Sequence, residues 1–154
     1  EEMGFGAFGP AQGIAGSPTW TEQRGLLIPY AETLAERMTP YTNSATFFCD
    51  RLLDARLAAK VLIICISSCN QAVTVQVIGH TANSPEDVNG IVDIGAGQNL
   101  PASNGKLGLG LDLATDWYPY LGVRVTAGAT APTSGRVVVQ AFGQRWVSGV
   151  EVPA

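Results

Sequence analysis

"KVLIICISSCNQAVTVQVIG", residues 60–79, places two strand patterns back to back. The second alternates. Val73, Val75 and Val77 fall on one side, Thr74 and Gln76 on the other, which is the period of a half-buried strand. The first, residues 61–66, is apolar at every position, as in a strand covered on both faces. Six apolar residues are far fewer than the ~20 that a membrane-spanning helix requires. Asn70 and Gln71 lie between the two patterns and read as the tight turn of a hairpin.

The same alternation recurs toward both ends. "ATFFCD" (45–50), "GIVDIG" (90–95), "KLGLGLDL" (106–113), "YLGVRVTA" (120–127) and "GRVVVQAFG" (135–143) each have the length and composition of a strand. Turn clusters separate them: "HTANSPEDVNG", "GAGQNLPASNG" and "GATAPTSG". In 106–113 the leucines share one face. Gly108 and Gly110 occupy the other, where bare backbone leaves room for a close neighbour. Seven or eight short strands at this spacing, with no βαβ alternation, predict an all-β fold: an antiparallel, jelly-roll-like β-sandwich.

Two segments precede it. In "IPYAETLAERMTPY" (28–41), Ala31, Leu34, Ala35 and Met38 follow helical spacing, Pro29 suits a first turn, and Pro40 closes the run. This predicts one short amphipathic helix, too short to persist unless it docks. Residues 1–25 carry no period and are rich in glycine, with Phe5, Phe8 and Trp20 among them. Glycine loses the most backbone entropy on ordering, so such an arm gains order only by seating its aromatic rings. The expected organisation is therefore an extended arm (1–25), a linker with the helix (26–41), the sandwich (42–144) and a tail (145–154). Phe5, Phe8, Trp20 and Tyr30 are the expected partner-binding anchors.

Charged residues make up 14% of the 154-residue chain, against roughly 25% in ordinary soluble domains. Much of the surface is thus expected to face other protein. The net charge is −4 and the nine Lys and Arg are scattered, which argues against direct nucleic-acid binding. The three cysteines, Cys49, Cys65 and Cys69, do not form a closed disulfide set. They read as buried thiols, with pairing of Cys49 to Cys65 or Cys69 left open. No catalytic, metal-binding or cofactor-binding constellation emerges. His80 is the single histidine, and Glu32 with Glu36, Glu86 with Asp87, and Asp112 with Asp116 read as solvated carboxylates. Trp117, Tyr118 and Tyr120 in "DWYPY" are candidates for stacking on a glycan.

"LAAKVLIICISSCNQAVTVQVIGHTANSPED" (57–87) and "YPYLGVRVTAGATAPTSGRVVVQAFGQ" (118–144) together resemble the β-sandwich of phage capsid decoration (cement) proteins and related small virion proteins. The likeness covers roughly residues 46–144 and is one of strand types and turns. It implies a non-enzymatic subunit at the capsid surface that clamps its neighbours and associates with its own copies, as a trimer or polymer, and with a major shell protein. A carbohydrate-binding module, or a subunit of an extracellular filament, is the alternative that the same pattern allows.

Overall fold

The computed structural model describes residues 26–38, 46–85 and 87–147. Among them are nine strands: β1 (Leu26–Met38), β2 (Thr46–Phe48), β3 (Leu53–Asp54), β4 (Ala58–Ser67), β5 (Val73–His80), β6 (Ile91–Leu100), β7 (Gly105–Leu111), β8 (Tyr120–Ala127) and β9 (Arg136–Val147). A single 3-10 turn, Val88–Gly90, precedes β6. Pro29–Gln144 forms one compact unit, which holds the sandwich. Glu1–Ile28 with Arg145–Ala154 forms another, of which residues 26–28 and 145–147 are described.

The strands make two sheets, ordered β1-β9-β4-β7 and β2-β8-β5-β6, with β3 also on β8. β2 lies against Thr126–Arg124 and β3 against Leu121 and Tyr120, so the two are one interrupted strand along β8. Counted that way, eight strands lie first-eighth-third-sixth and second-seventh-fourth-fifth. That is the winding of a jelly roll. The inner faces follow from the alternation: Val61, Ile63 and Cys65 of β4 and Val137, Val139 and Ala141 of β9 on one sheet; Val73, Val75 and Val77 of β5 and Leu121, Val123 and Val125 of β8 on the other. Each buried Val, Leu or Ile contributes about 1.5–3 kcal/mol, so this stripe dominates the stability.

Three expectations are corrected. The predicted helix at 28–41 is strand β1. Only Leu34 and Met38 of its four apolar positions are large, so the helical stripe is thin, and a lone ten-residue helix nucleates poorly. Pairing elsewhere decides the matter. Tyr30 lies beside Gly143, and Glu36 forms an ion pair with Arg136, which sets β1 antiparallel to β9. On its other side Leu34 O accepts the N–H groups of Asp50 (2.8 Å) and Arg51 (3.2 Å), and Arg51 Nε donates to Thr33 O at 3.1 Å. Pro29 is tolerated because β1 is an edge strand.

The second correction concerns Asn70 and Gln71. They do not close a hairpin, because β4 and β5 belong to different sheets and the chain crosses the sandwich between them. Asn70 pins the crossing: its Oδ1 accepts Thr133 N–H (2.9 Å), and its Nδ2 donates to Thr133 Oγ1 (2.9 Å). The third correction is that β4 is covered on one face. Leu62 is 39% exposed and Ile64 and Ile66 are half-buried on the other.

β6 also runs longer than its apolar core suggests. A bulge carries it past Gly95 (φ +69°), where Gln76 Nε2 donates to Val77 O (3.0 Å), Ile94 O (3.0 Å) and Gly95 O (3.2 Å). Cys49, Cys65 and Cys69 are buried and none of them is in a disulfide.

Candidate assembly surface

The two outer faces of the sandwich differ in chemistry. On the β2-β8-β5-β6 sheet, Thr46 and Thr126 share a hydroxyl hydrogen bond (3.1 Å), Thr74 pairs with Thr126, and Arg124 holds Asp93 through two contacts of 2.9 and 3.0 Å. That face is largely polar, with Phe48 half-buried beside Arg124 and Ile78 fully buried on it. The β1-β9-β4-β7 sheet presents Leu62, Ile64 and Ile66 from β4 instead. The register sets Leu62 beside Gly110, Ile64 beside Gly108 and Ile66 beside Lys106. Two exposed glycines therefore make a bare shelf next to a row of branched side chains. At its upper end lies a hollow of ≈ 720 Å³, lined by Lys60, Leu62, Gly110, Leu113 and Phe142 among others.

The fold itself does not require these glycines. Among the described residues a Cβ at Gly110 would meet nothing within 4 Å, and one at Gly108 would sit at an ordinary 3.9 Å from Leu62 Cδ1. Neither has positive φ. Glycine inside a strand costs about 0.5–1 kcal/mol relative to alanine, and the packing of the described residues gives no reason for the bare backbone. The sequence carried the signal, in the doubly apolar β4 and in the glycines of β7. Phe142 was missed because its run, "VVVQAF", does not show which sheet lies beside it.

The other candidate residues fall elsewhere. Phe5, Phe8 and Trp20 lie outside the described residues. Tyr30 packs its ring against the core and donates its hydroxyl to Lys60 O at 3.0 Å. Trp117, Tyr118 and Tyr120 are each held by a different neighbour. Trp117 is 44% exposed and its Nε1 donates to Ala55 O (2.9 Å). Tyr118 lies over Gly79, where a Cβ would be 2.4 Å from the ring. Tyr120 packs on the core under the Arg56 guanidinium, 5.5 Å from the ring centroid. A hydrogen bond from Arg56 to Asp54, and their charge attraction, hold that guanidinium's pKa above its ordinary value.

The carboxylates serve local structure. Asp112 Oδ1 accepts Ala114 N–H (3.0 Å), Asp87 Oδ1 accepts Asn89 N–H (3.0 Å), and Glu32 faces Arg51 at 3.7 Å. Glu86 lies outside the described residues. His80 is fully buried. Its Nδ1 accepts Ala82 N–H (3.0 Å), so Nε2 carries the proton and donates to Asp87 O (2.7 Å). Among the described residues no group of three or more His, Cys, Asp and Glu is placed to hold a metal ion, and no helix is long and apolar enough to cross a membrane.

No family model matches the chain, and no curated protein matches it. Among solved structures it is similar to a chain in "Structure of infectious bursal disease virus Gx strain", with 9% identity and a TM-score of 0.50 over 82% of this chain and 34% of that one. It thus spans about a third of that virus chain. It is also similar to a chain in "Bacillus endospore appendages form a novel family of disulfide-linked pili", with 7% identity and a TM-score of 0.46 over 85% of this chain and 97% of that one. At such identities the likeness is one of fold: a β-sandwich of the kind present in a virus structure.

Proposed function

We propose that this chain is a non-enzymatic structural subunit that assembles with its own copies and with a shell protein, as a capsid decoration protein does at a virion surface. One observation carries the reading: a row of exposed and half-buried branched side chains, Leu62, Ile64 and Ile66, beside two glycines that the packing of the described residues does not demand. The sparse charge supports it, since a surface covered by neighbours has little need of charged side chains. The strand pattern and the fold likeness to a virus chain support a virion setting, and an extracellular filament is the nearest variant.

Sedimentation velocity and electron microscopy of the full chain test the reading. Copies are expected to associate, and deletion of residues 1–16 is expected to leave a cooperatively unfolding sandwich that no longer assembles. Unchanged association after that deletion would remove the arm from the proposal.

Glycan recognition has one observation in its favour, the exposed Trp117. Its neighbours Tyr118 and Tyr120 are each engaged within the fold. The fluorescence of the full chain is therefore expected to stay constant across a glycan panel. A glycan-dependent shift that Trp117→Ala abolishes would favour the carbohydrate-binding module instead.

A further inference from the structure

We infer that the glycine shelf and hollow on the β4–β7 face receive the Phe-Gly segment, residues 4–9, of a second copy of this chain. The inference deepens the assembly reading and rests on it. Its parts are Leu62, Ile64, Gly108, Gly110 and Phe142, with Lys60 and Lys106 at the two ends.

Chemistry selects the occupant. A bare strand next to a row of branched side chains admits a flat ring against backbone, and residues 4–9, "GFGAFG", offer two rings on a chain otherwise of glycine and alanine. In an extended three-fold conformation, residues three apart lie on one side about 9 Å apart, so Phe5 and Phe8 face the shelf together. Their intervening glycines and alanine permit backbone-to-backbone approach, which larger side chains on either surface would prevent. Charge agrees with this placement. Glu1 and Glu2 are the only charged residues among the first twenty, and the shelf is flanked by the exposed Lys60 and Lys106. Asp112 also lines the hollow, with its Oδ1 already engaged by Ala114 N–H.

Reach is sufficient. Sixteen residues separate residue 9 from Leu26, and at ~3.3 Å each they span up to about 55 Å, more than a domain's diameter. An arm and its receiving face on one chain make a heterologous contact, which repeats from copy to copy and either closes a ring or propagates. Such a contact covers the apolar face of every subunit that has a neighbour.

The test uses the full chain with p-benzoylphenylalanine in place of Phe5 or Phe8. Heavy- and light-isotope copies are mixed, irradiated, and read by mass spectrometry of the crosslinked peptides. Adducts are expected between the arm of one copy and β4, β7 or β9 of another. Gly110→Leu is expected to cut them at least tenfold while leaving the thermal midpoint in place, since among the described residues nothing lies within 4 Å of the added Cβ. The photocrosslink itself leaves the shelf unaltered, so the result stands even where Gly110→Leu folds poorly. Adducts within a single chain, or to another face of the neighbour, would overturn the inference. Should adducts to the shelf be absent while removal of residues 1–16 still abolishes assembly, the shelf is wrong and the arm reading survives. If that removal also changes nothing, both fall.

Discussion

Gly135→Ala is expected to lower the stability of the sandwich by about 3 kcal/mol, and Gly110→Ala to leave it unchanged or raise it by up to about 1 kcal/mol. Both positions are glycines at or within the strands of one sheet, and the difference between them is physical. Gly135 has φ +92°, a conformation that costs a side-chain-bearing residue roughly 1–3 kcal/mol. A Cβ there would also lie 2.2 Å from Ser68 O and 2.6 Å from Cys69 Cα, backbone atoms that cannot rotate aside. This is the point where β9 begins against the end of β4, joined by Ser68 N–H to Arg136 O (2.9 Å) and Arg136 N–H to Ser68 Oγ (3.0 Å). Relief would pull apart the crossing that Asn70 pins to Thr133. Over a domain of this size the loss corresponds to a fall in thermal midpoint of roughly 10 °C. Gly110 has none of these constraints. Equal destabilisation by the two substitutions in urea unfolding would mean that the fold needs Gly110, and the case for a surface kept bare for a neighbour would fail.

How much of this the sequence discloses depends on what each pattern encodes. The alternation in "VTVQV" and "YLGVRVTA" reports one buried face directly, and β5 and β8 lie where it places them. A run such as "VLIICI" reports apolarity alone. It does not say whether the second face meets a helix, a sheet, solvent or another molecule, so the cover expected over Leu62, Ile64 and Ile66 is not there within the described residues. β1 was illegible for another reason. Its residues fit two periods, and the choice was made by the main-chain bonds that β9, Asp50 and Arg51 provide. Nor does Asn70-Gln71 mark its own topology, because the partners of β4 and β5 are strands thirty or more residues away as well as near ones. The aromatic cluster follows the same rule. Composition placed Trp117, Tyr118 and Tyr120 together, and only the contacts with Ala55, Gly79 and Arg56 distinguish a ring used by the fold from one left outside.

The pH dependence of stability gives an independent reading of the wall behind the glycine shelf. Cys65 lies on β4 between Ile64 and Ile66 and points the other way, fully buried in the core. Burial, followed by the nearby Cys49 thiol, pushes its pKa from 9.0 up to about 12. Between those values the folded chain keeps a proton that the unfolded chain has lost. Stability from this group is therefore full below about pH 9 and declines as pH rises toward about 12. At pH 11 the decline is on the order of 3 kcal/mol. Cys65→Ala removes the titration and leaves a small void, at a cost of about 1 kcal/mol at pH 8. The variant is thus expected to be the less stable protein at pH 8 and the more stable one at pH 11. A gap in urea midpoint that stays constant from pH 8 to 11 would mean that the thiol reaches solvent. In that case β4 breathes, and the outer row of Leu62, Ile64 and Ile66 is not the fixed surface that a docking arm requires.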